Sequence, residues 1–173
     1  MEKISKQVES AIREAIKLEI NGRDFFAHAA EITHNELGKK MFQRLAEEEV
    51  KHLEAFGKLF TSILKEKDWK KFVKGEELKG KSSLIEELAS RMKKSEGKSD
   101  IEALSIGMEL EARAIEHFQK AAEEVDDPQA REIFLNICEE EKFHYDLLQS
   151  QRDSLTHSGF WLDSAEFQMD GKF

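Results

Sequence analysis

Shifted by 92 residues, the chain lies on itself. Residues 18–31 (LEINGRDFFAHAAE) align without a gap on residues 110–123 (LEARAIEHFQKAAE), sharing Leu, Glu, Phe, Ala, Ala and Glu. The same shift puts Phe42 on Phe134, Glu47 to Glu49 on Glu139 to Glu141, and His52 on His144. A chain made of two like units is expected to pack them about an approximate twofold axis. Residues matched across the two units then sit close to that axis.

The repeated unit is helical. Apolar residues recur three and four apart in four long stretches. The first takes Ile4, Val8, Ile12 and Ala15, then Gly22, Phe26 and Ala29; the second Met41 and Leu45, then Leu53, Phe56, Phe60 and Ile63. The third takes Ile101, Leu104 and Met108, then Ile115, Phe118, Ala122 and Val125; the fourth Ala130, Phe134 and Ile137, then Leu148. Charged residues at 36% and a single proline suit long helices with solvated outer faces.

Capping signals fix the boundaries. Thr33 with Glu36 and Ser99 with Glu102 have capping-box spacing, and Asp127 precedes Pro128 as a cap precedes a first-turn proline. Helices are expected near 2–32, 34–66, 100–125 and 128–153. The short turns make two antiparallel hairpins, and the long link, residues 67–99, can cross the bundle. The whole reads as one domain over residues 1–153, an all-α antiparallel four-helix bundle with an internal twofold repeat. A tail over 154–173 is rich in large apolar groups: Phe160, Trp161, Leu162, Phe167, Met169 and Phe173.

A formal charge of −9 with no basic stripe argues against nucleic-acid and anionic-membrane partners. No segment has the apolar length of a signal peptide core or a membrane span. The lone Cys138 forms neither an internal disulfide nor a Cys₄ iron site. A cytoplasmic protein is the expectation.

The chemistry lies where the apolar stripes are interrupted. The missing core-facing positions are filled by Glu19, by Glu49 and His52, by Glu111, and by Glu141 and His144. A Glu-x-x-His pair alone is weak evidence, and a third one, Glu31 with His34, straddles a turn and reads as surface. Four carboxylates facing one another in a core are prohibitive without compensation. No Lys or Arg occupies a matched seam position, so buried salt bridges do not supply it. Two divalent cations do: +4 against −4, with two neutral imidazoles. An oxygen-rich set with one imidazole per metal suits iron, or a mixed iron–manganese pair, better than closed structural zinc.

These six residues, in order on four helices, resemble the ferritin-like di-iron carboxylate proteins, whose ligand pattern is known, and most of all the rubrerythrin group. The resemblance covers roughly residues 2–153. It implies that Glu49 and Glu141 bridge two irons, that Glu19 and Glu111 are terminal carboxylates, and that His52 and His144 bind one iron each. It further implies an oxidoreductase reducing peroxide or dioxygen, with iron oxidation and storage of the bacterioferritin kind as the alternative. A purely structural metal is a third reading.

Three departures shape those expectations. Without a rubredoxin domain, electrons have to come from an external donor such as a rubredoxin-type carrier. The extra glutamate that rubrerythrins carry one turn after the third-helix ligand is Ala114 here, with Gly22 as its repeat partner. Two small residues at these positions suggest open volume for the oxidant. The aromatic tail is expected to dock on the bundle or on a second subunit, so a homodimer is expected. Phe26 and Phe118 read as core, Cys138 as a buried small residue, and Tyr145 as partly turned away from the site. His28, His117 and His157 read as surface. Glu47, Glu48, Glu139 and Glu140 read as a solvated face.

Overall fold

In the computed structural model, residues 2–64, residue 90 and residues 99–163 are described. They form α1 (Glu2–Ile32), α2 (Glu36–Leu64), α3 (Ser99–Glu124) and α4 (Pro128–Ser158). The protein is an all-α four-helix bundle. No described helix is long and apolar enough to cross a membrane.

Each helix boundary has a chemical cause. The turn into α2 is capped by Asn35, whose Oδ1 accepts from the backbone N–H of Leu37 (2.9 Å) and Gly38 (3.3 Å). Thr33, the expected cap, instead donates its hydroxyl to the Ala29 carbonyl and stays buried at the end of α1. The helix therefore begins at Glu36, two residues late. The expected capping role of Ser99 falls on a side chain outside the described set. Asp127 caps α4 as expected, accepting from Ala130 N–H at 2.9 Å with proline in the first turn. Arg131 reaches back to the carbonyls of Ala122 and Val125 and satisfies the end of α3.

The register follows from residue contacts across the bundle. Phe26 of α1 lies against Gly107 of α3, and Ala11 against His117, so α1 and α3 are antiparallel. Glu48 of α2 meets His144 of α4, and His52 meets Glu140, so α2 and α4 are antiparallel as well. With the two hairpins, this puts the end of α2 and the start of α3 at opposite ends of the bundle, as a crossover connection requires. The link expected over 67–99 lies, apart from Ser90 and Ser99, outside the described residues.

Two apolar layers fill the bundle. One is built on Val8, Ile12, Phe56, Phe60, Phe118 and Phe134, the other on Phe26, Met41, Phe42, Leu45, Leu104 and Leu148. Within the first, the rings of Phe56, Phe118 and Phe134 pack at centroid separations of 5.3 to 6.1 Å. His117, read as surface, sits at the edge of this layer. It is half-buried, its ring lies edge-on to Phe118, and its Nε2 is 3.1 Å from the Ala11 carbonyl.

The last helix runs to Ser158, five residues past the expected end, and stops where Gly159 adopts φ 76°. The apolar pattern fades early because Gln151 takes a core position. This fully buried amide bonds both backbone groups of Leu162, accepting from its N–H and donating to its carbonyl, each at 2.8 Å. That clamp sets Trp161 into the second layer, edge-on to Phe42. Gly38 leaves room for the indole, since a Cβ there would come within 2.7 Å of it. The start of the tail thus docks on the bundle through Trp161, while Phe160 is 74% exposed. Residues 164–173, including Phe167, Met169 and Phe173, lie outside the described set.

Candidate metal centre

Between the two apolar layers lies a polar one. Glu19 projects into it from α1, Glu49 and His52 from α2, Glu111 from α3, and Glu141 and His144 from α4, every one of them buried. Spacing explains the convergence: a glutamate and a histidine three apart on a helix share a face, and the antiparallel register brings the two pairs together. The imidazoles stack with centroids 5.7 Å apart.

The donor atoms divide into two overlapping sets of four. Glu19, Glu49, His52 and Glu141 form one, and Glu49, Glu111, Glu141 and His144 the other, with the donor atoms of each set within 4.8 Å of one another. Glu49 and Glu141 belong to both. Nδ1 of each histidine faces the carboxylates. For His52 it lies 2.8 Å from Glu141, 3.5 Å from Glu19 and 3.9 Å from Glu49. For His144 the distances are 3.3 Å to Glu141, 3.4 Å to Glu49 and 3.6 Å to Glu111.

These contacts do not satisfy the groups that make them. Both Nδ1 atoms, both oxygens of Glu19, and one oxygen each of Glu49, Glu111 and Glu141 are buried without an aligned hydrogen-bond partner. Inward-facing orphan groups of this kind are rare in a core, and a cation held between them would satisfy them. Oxygen donors with one imidazole per set fit a di-iron site.

The electrostatics describe the metal-free state. Burial, then the charges of Glu141 and Glu49, push Glu19 and Glu111 well above the usual carboxylate range. Burial pushes Glu141 up too, but contacts with Glu111, His144 and His52 outweigh it and hold Glu141 well below that range. Burial disfavours charge on His52 and His144, yet the surrounding carboxylates, Glu19 and Glu111 foremost, raise both well above the ordinary imidazole value. Without metal, the crowded negative charge favours the protonated forms of Glu19, Glu111 and the two histidines.

Two further glutamates complete the centre. Glu140 Oε2 pairs with Nε2 of His52 at 2.8 Å, and Glu48 Oε2 pairs with Nε2 of His144. Each crosses between α2 and α4, and each fixes the ring so that Nδ1 turns toward the carboxylates. The sequence reading put both on a solvated face. The available signal was their match across the repeat, one residue before Glu49 and Glu141.

The expected volume beside Gly22 is absent. The Glu49 carboxylate lies against it, and a Cβ at position 22 would sit 3.3 Å from that carboxylate. Space is found instead between α2 and α4. There a cavity of about 200 Å³ is lined by Glu48, Lys51, His52, Glu140, Phe143 and His144. Cys138 is buried and 3.8 Å from the Ile115 carbonyl, and Tyr145 packs against the second apolar layer. Glu31 and His34 are exposed, as are His28 and His157.

A family model described as Rubrerythrin matches residues 10–151. No curated protein and no solved structure matches the chain.

Proposed function

The chain belongs to the rubrerythrin family, and on that premise we propose that it is a di-iron oxidoreductase reducing peroxide or dioxygen with electrons from an external donor. The observation that carries this reading is the sharing of Glu49 and Glu141 between two four-donor sets. Two ions held by common carboxylates are close enough to act on one oxidant together. In this reading Glu49 and Glu141 would serve both irons, Glu19 and His52 would complete the donors to one, and Glu111 and His144 those to the other, each histidine through Nδ1.

The bound pair supplies two electrons and Lewis acidity to the oxidant. The chain supplies the rest. Glu48 and Glu140 keep the Nε2 protons in place and so keep both Nδ1 atoms available as donors. The two apolar layers keep bulk water from the ligands, which strengthens every electrostatic interaction between them. The cavity between α2 and α4 offers a small oxidant a way to the polar layer. Cys138, the one cysteine among these 173 residues, cannot form a Cys₄ centre with them, so the bundle takes its electrons from elsewhere in this reading. A rubredoxin-type carrier fits that need.

The test is a single-turnover experiment. Iron-loaded, reduced protein is mixed anaerobically with hydrogen peroxide, and separately with oxygenated buffer. The reading predicts oxidation of both irons with one peroxide consumed per chain, and no such reaction in Glu111→Ala. Irons that stay reduced with both oxidants would refute it. Continued uptake of added iron into a growing mineral would replace it with iron storage.

A further inference from the structure

The repeat makes the two metal positions equivalent in sequence, and the structure shows where that equivalence ends. At the first position, the three carboxylates around His144 stand off evenly, with Nδ1 3.3 to 3.6 Å from each. At the second, Nδ1 of His52 has closed onto Glu141 at 2.8 Å and stands 3.9 Å from Glu49. Carboxylates touch within both sets, Glu111 with Glu141 and Glu19 with Glu49, and the close approach of His52 to Glu141 is a further contact that a cation has to part in the second.

The outer support differs in the same sense. Glu48, which holds His144, is itself held by Arg44 one turn earlier, with Nε 3.4 Å from Glu48 Oε1. The residue 92 positions after Arg44 is Asn136, so the repeat does not provide Glu140 with the same guanidinium. Glu48 has a side chain 22% exposed and Glu140 one 53% exposed. Water competes for a carboxylate that open, and its side chain samples other rotamers. Arg44 also neutralises Glu48, so the Arg44–Glu48 pair acts by holding His144 in place more than by adding charge.

Resting on the assignment of these residues as metal ligands, we propose that the two positions are inequivalent. The one formed by Glu49, Glu111, Glu141 and His144 fills first and binds more tightly, and the one formed by Glu19, Glu49, His52 and Glu141 is the exchangeable one. Arg44, through Glu48, is a positioning residue for the first. Preorganised donors bind tighter because less ordering is left to do on binding.

The experiment is a cobalt(II) titration of the full-length metal-free protein, followed by calorimetry and by visible absorption. Two steps are expected, their Kd values at least about tenfold apart, the scale on which outer-shell partners tune metal sites. Glu111→Gln should remove the tight step and Glu19→Gln the weak one. Arg44→Asn, a change on the half-exposed face of α2, should weaken the tight step by about tenfold and merge the two. Asn136→Arg should tighten the weak one. Two equal steps would overturn the inequivalence, a tight step that follows Glu19 would overturn its order, and a tight step unmoved by Arg44→Asn would overturn the role of Arg44, each leaving the ligands assigned. No cobalt bound would overturn the ligand assignment and this inference with it.

Discussion

The polar layer and the two apolar layers that flank it come from the same four helices and are equally buried, yet they answer opposite demands. Phe56, Phe118 and Phe134 exclude water and gain by it. Glu19 and Glu111 are just as removed from water, and in the metal-free chain burial and the neighbouring charges of Glu141 and Glu49 oppose their ionisation. The difference teaches that burial has no fixed sign. An apolar side chain stabilises where it is buried, whereas a buried carboxylate needs a proton, a hydrogen-bonded partner or a cation to offset its burial. Truncating a side chain in one layer should therefore undo stability, and neutralising one in the other should raise it.

The largest effect is expected in the apolar layer. Phe56→Ala removes a ring packed 5.3 Å from both Phe118 and Phe134 and should cost about 3–5 kcal/mol in denaturant unfolding. The variant should still bind two metals at temperatures where it is folded. A similar loss in metal affinity without a loss of stability would erase the distinction between layers.

The polar layer should respond with the opposite sign. Glu111→Leu keeps the volume and removes an acid whose charge burial and its neighbours disfavour, so the metal-free protein should gain stability while losing one metal. Chemical denaturation with and without metal reads both. A destabilised metal-free variant would show that Glu111 supports the fold by itself.

The comparison sharpens with pH. Glu19 and Glu111 have folded values raised above 4.5, and His52 and His144 above 6.5. Each such group stabilises fully below its unfolded value, and that contribution is lost as pH rises through the folded one. The opposite holds for Glu141, whose value is depressed and whose contribution is lost only as pH falls below 4.5. Metal-free protein should therefore lose stability from mildly acid to alkaline pH, by about 1 kcal/mol per pH unit for each titrating group. Metal-loaded protein, in which cations replace the protons, should show little of that slope. Equal slopes with and without metal would contradict the charge assignment.

The smallest effect belongs outside both layers. Asp127→Ala removes the cap of α4 and should cost about 1 kcal/mol with metal binding unchanged. A change in metal affinity would mean that the end of the bundle communicates with its centre.

Much of this contrast was legible in the sequence, because both layers obey one period. Phe26, Phe118 and the other stripe residues mark the inner faces, and Glu19, Glu49, Glu111 and Glu141 break those stripes where an apolar residue was due. What the period does not show is what faces a residue from another helix. Glu48 and Glu140 lie a hundred degrees round from the seam and read as solvated until α2 and α4 are set antiparallel. Gly22 reads as space until Glu49 is seen lying against it, since close-packed interiors fill what a small residue leaves. Gln151 ended the apolar pattern early because a buried amide carries no hydrophobic signal. Asn35 displaced Thr33 as the cap because the Thr33 hydroxyl is taken by the Ala29 carbonyl.

The central claim is that the polar layer exists to hold two metal ions through shared carboxylates. It is tested most directly by titrating ferrous iron into metal-free protein and counting the ions retained per chain. Saturation at two, falling in Glu49→Ala and in Glu141→Ala by more than one ion each, is the predicted result. No retained iron, or saturation at two with Glu49 and Glu141 both dispensable, would contradict it.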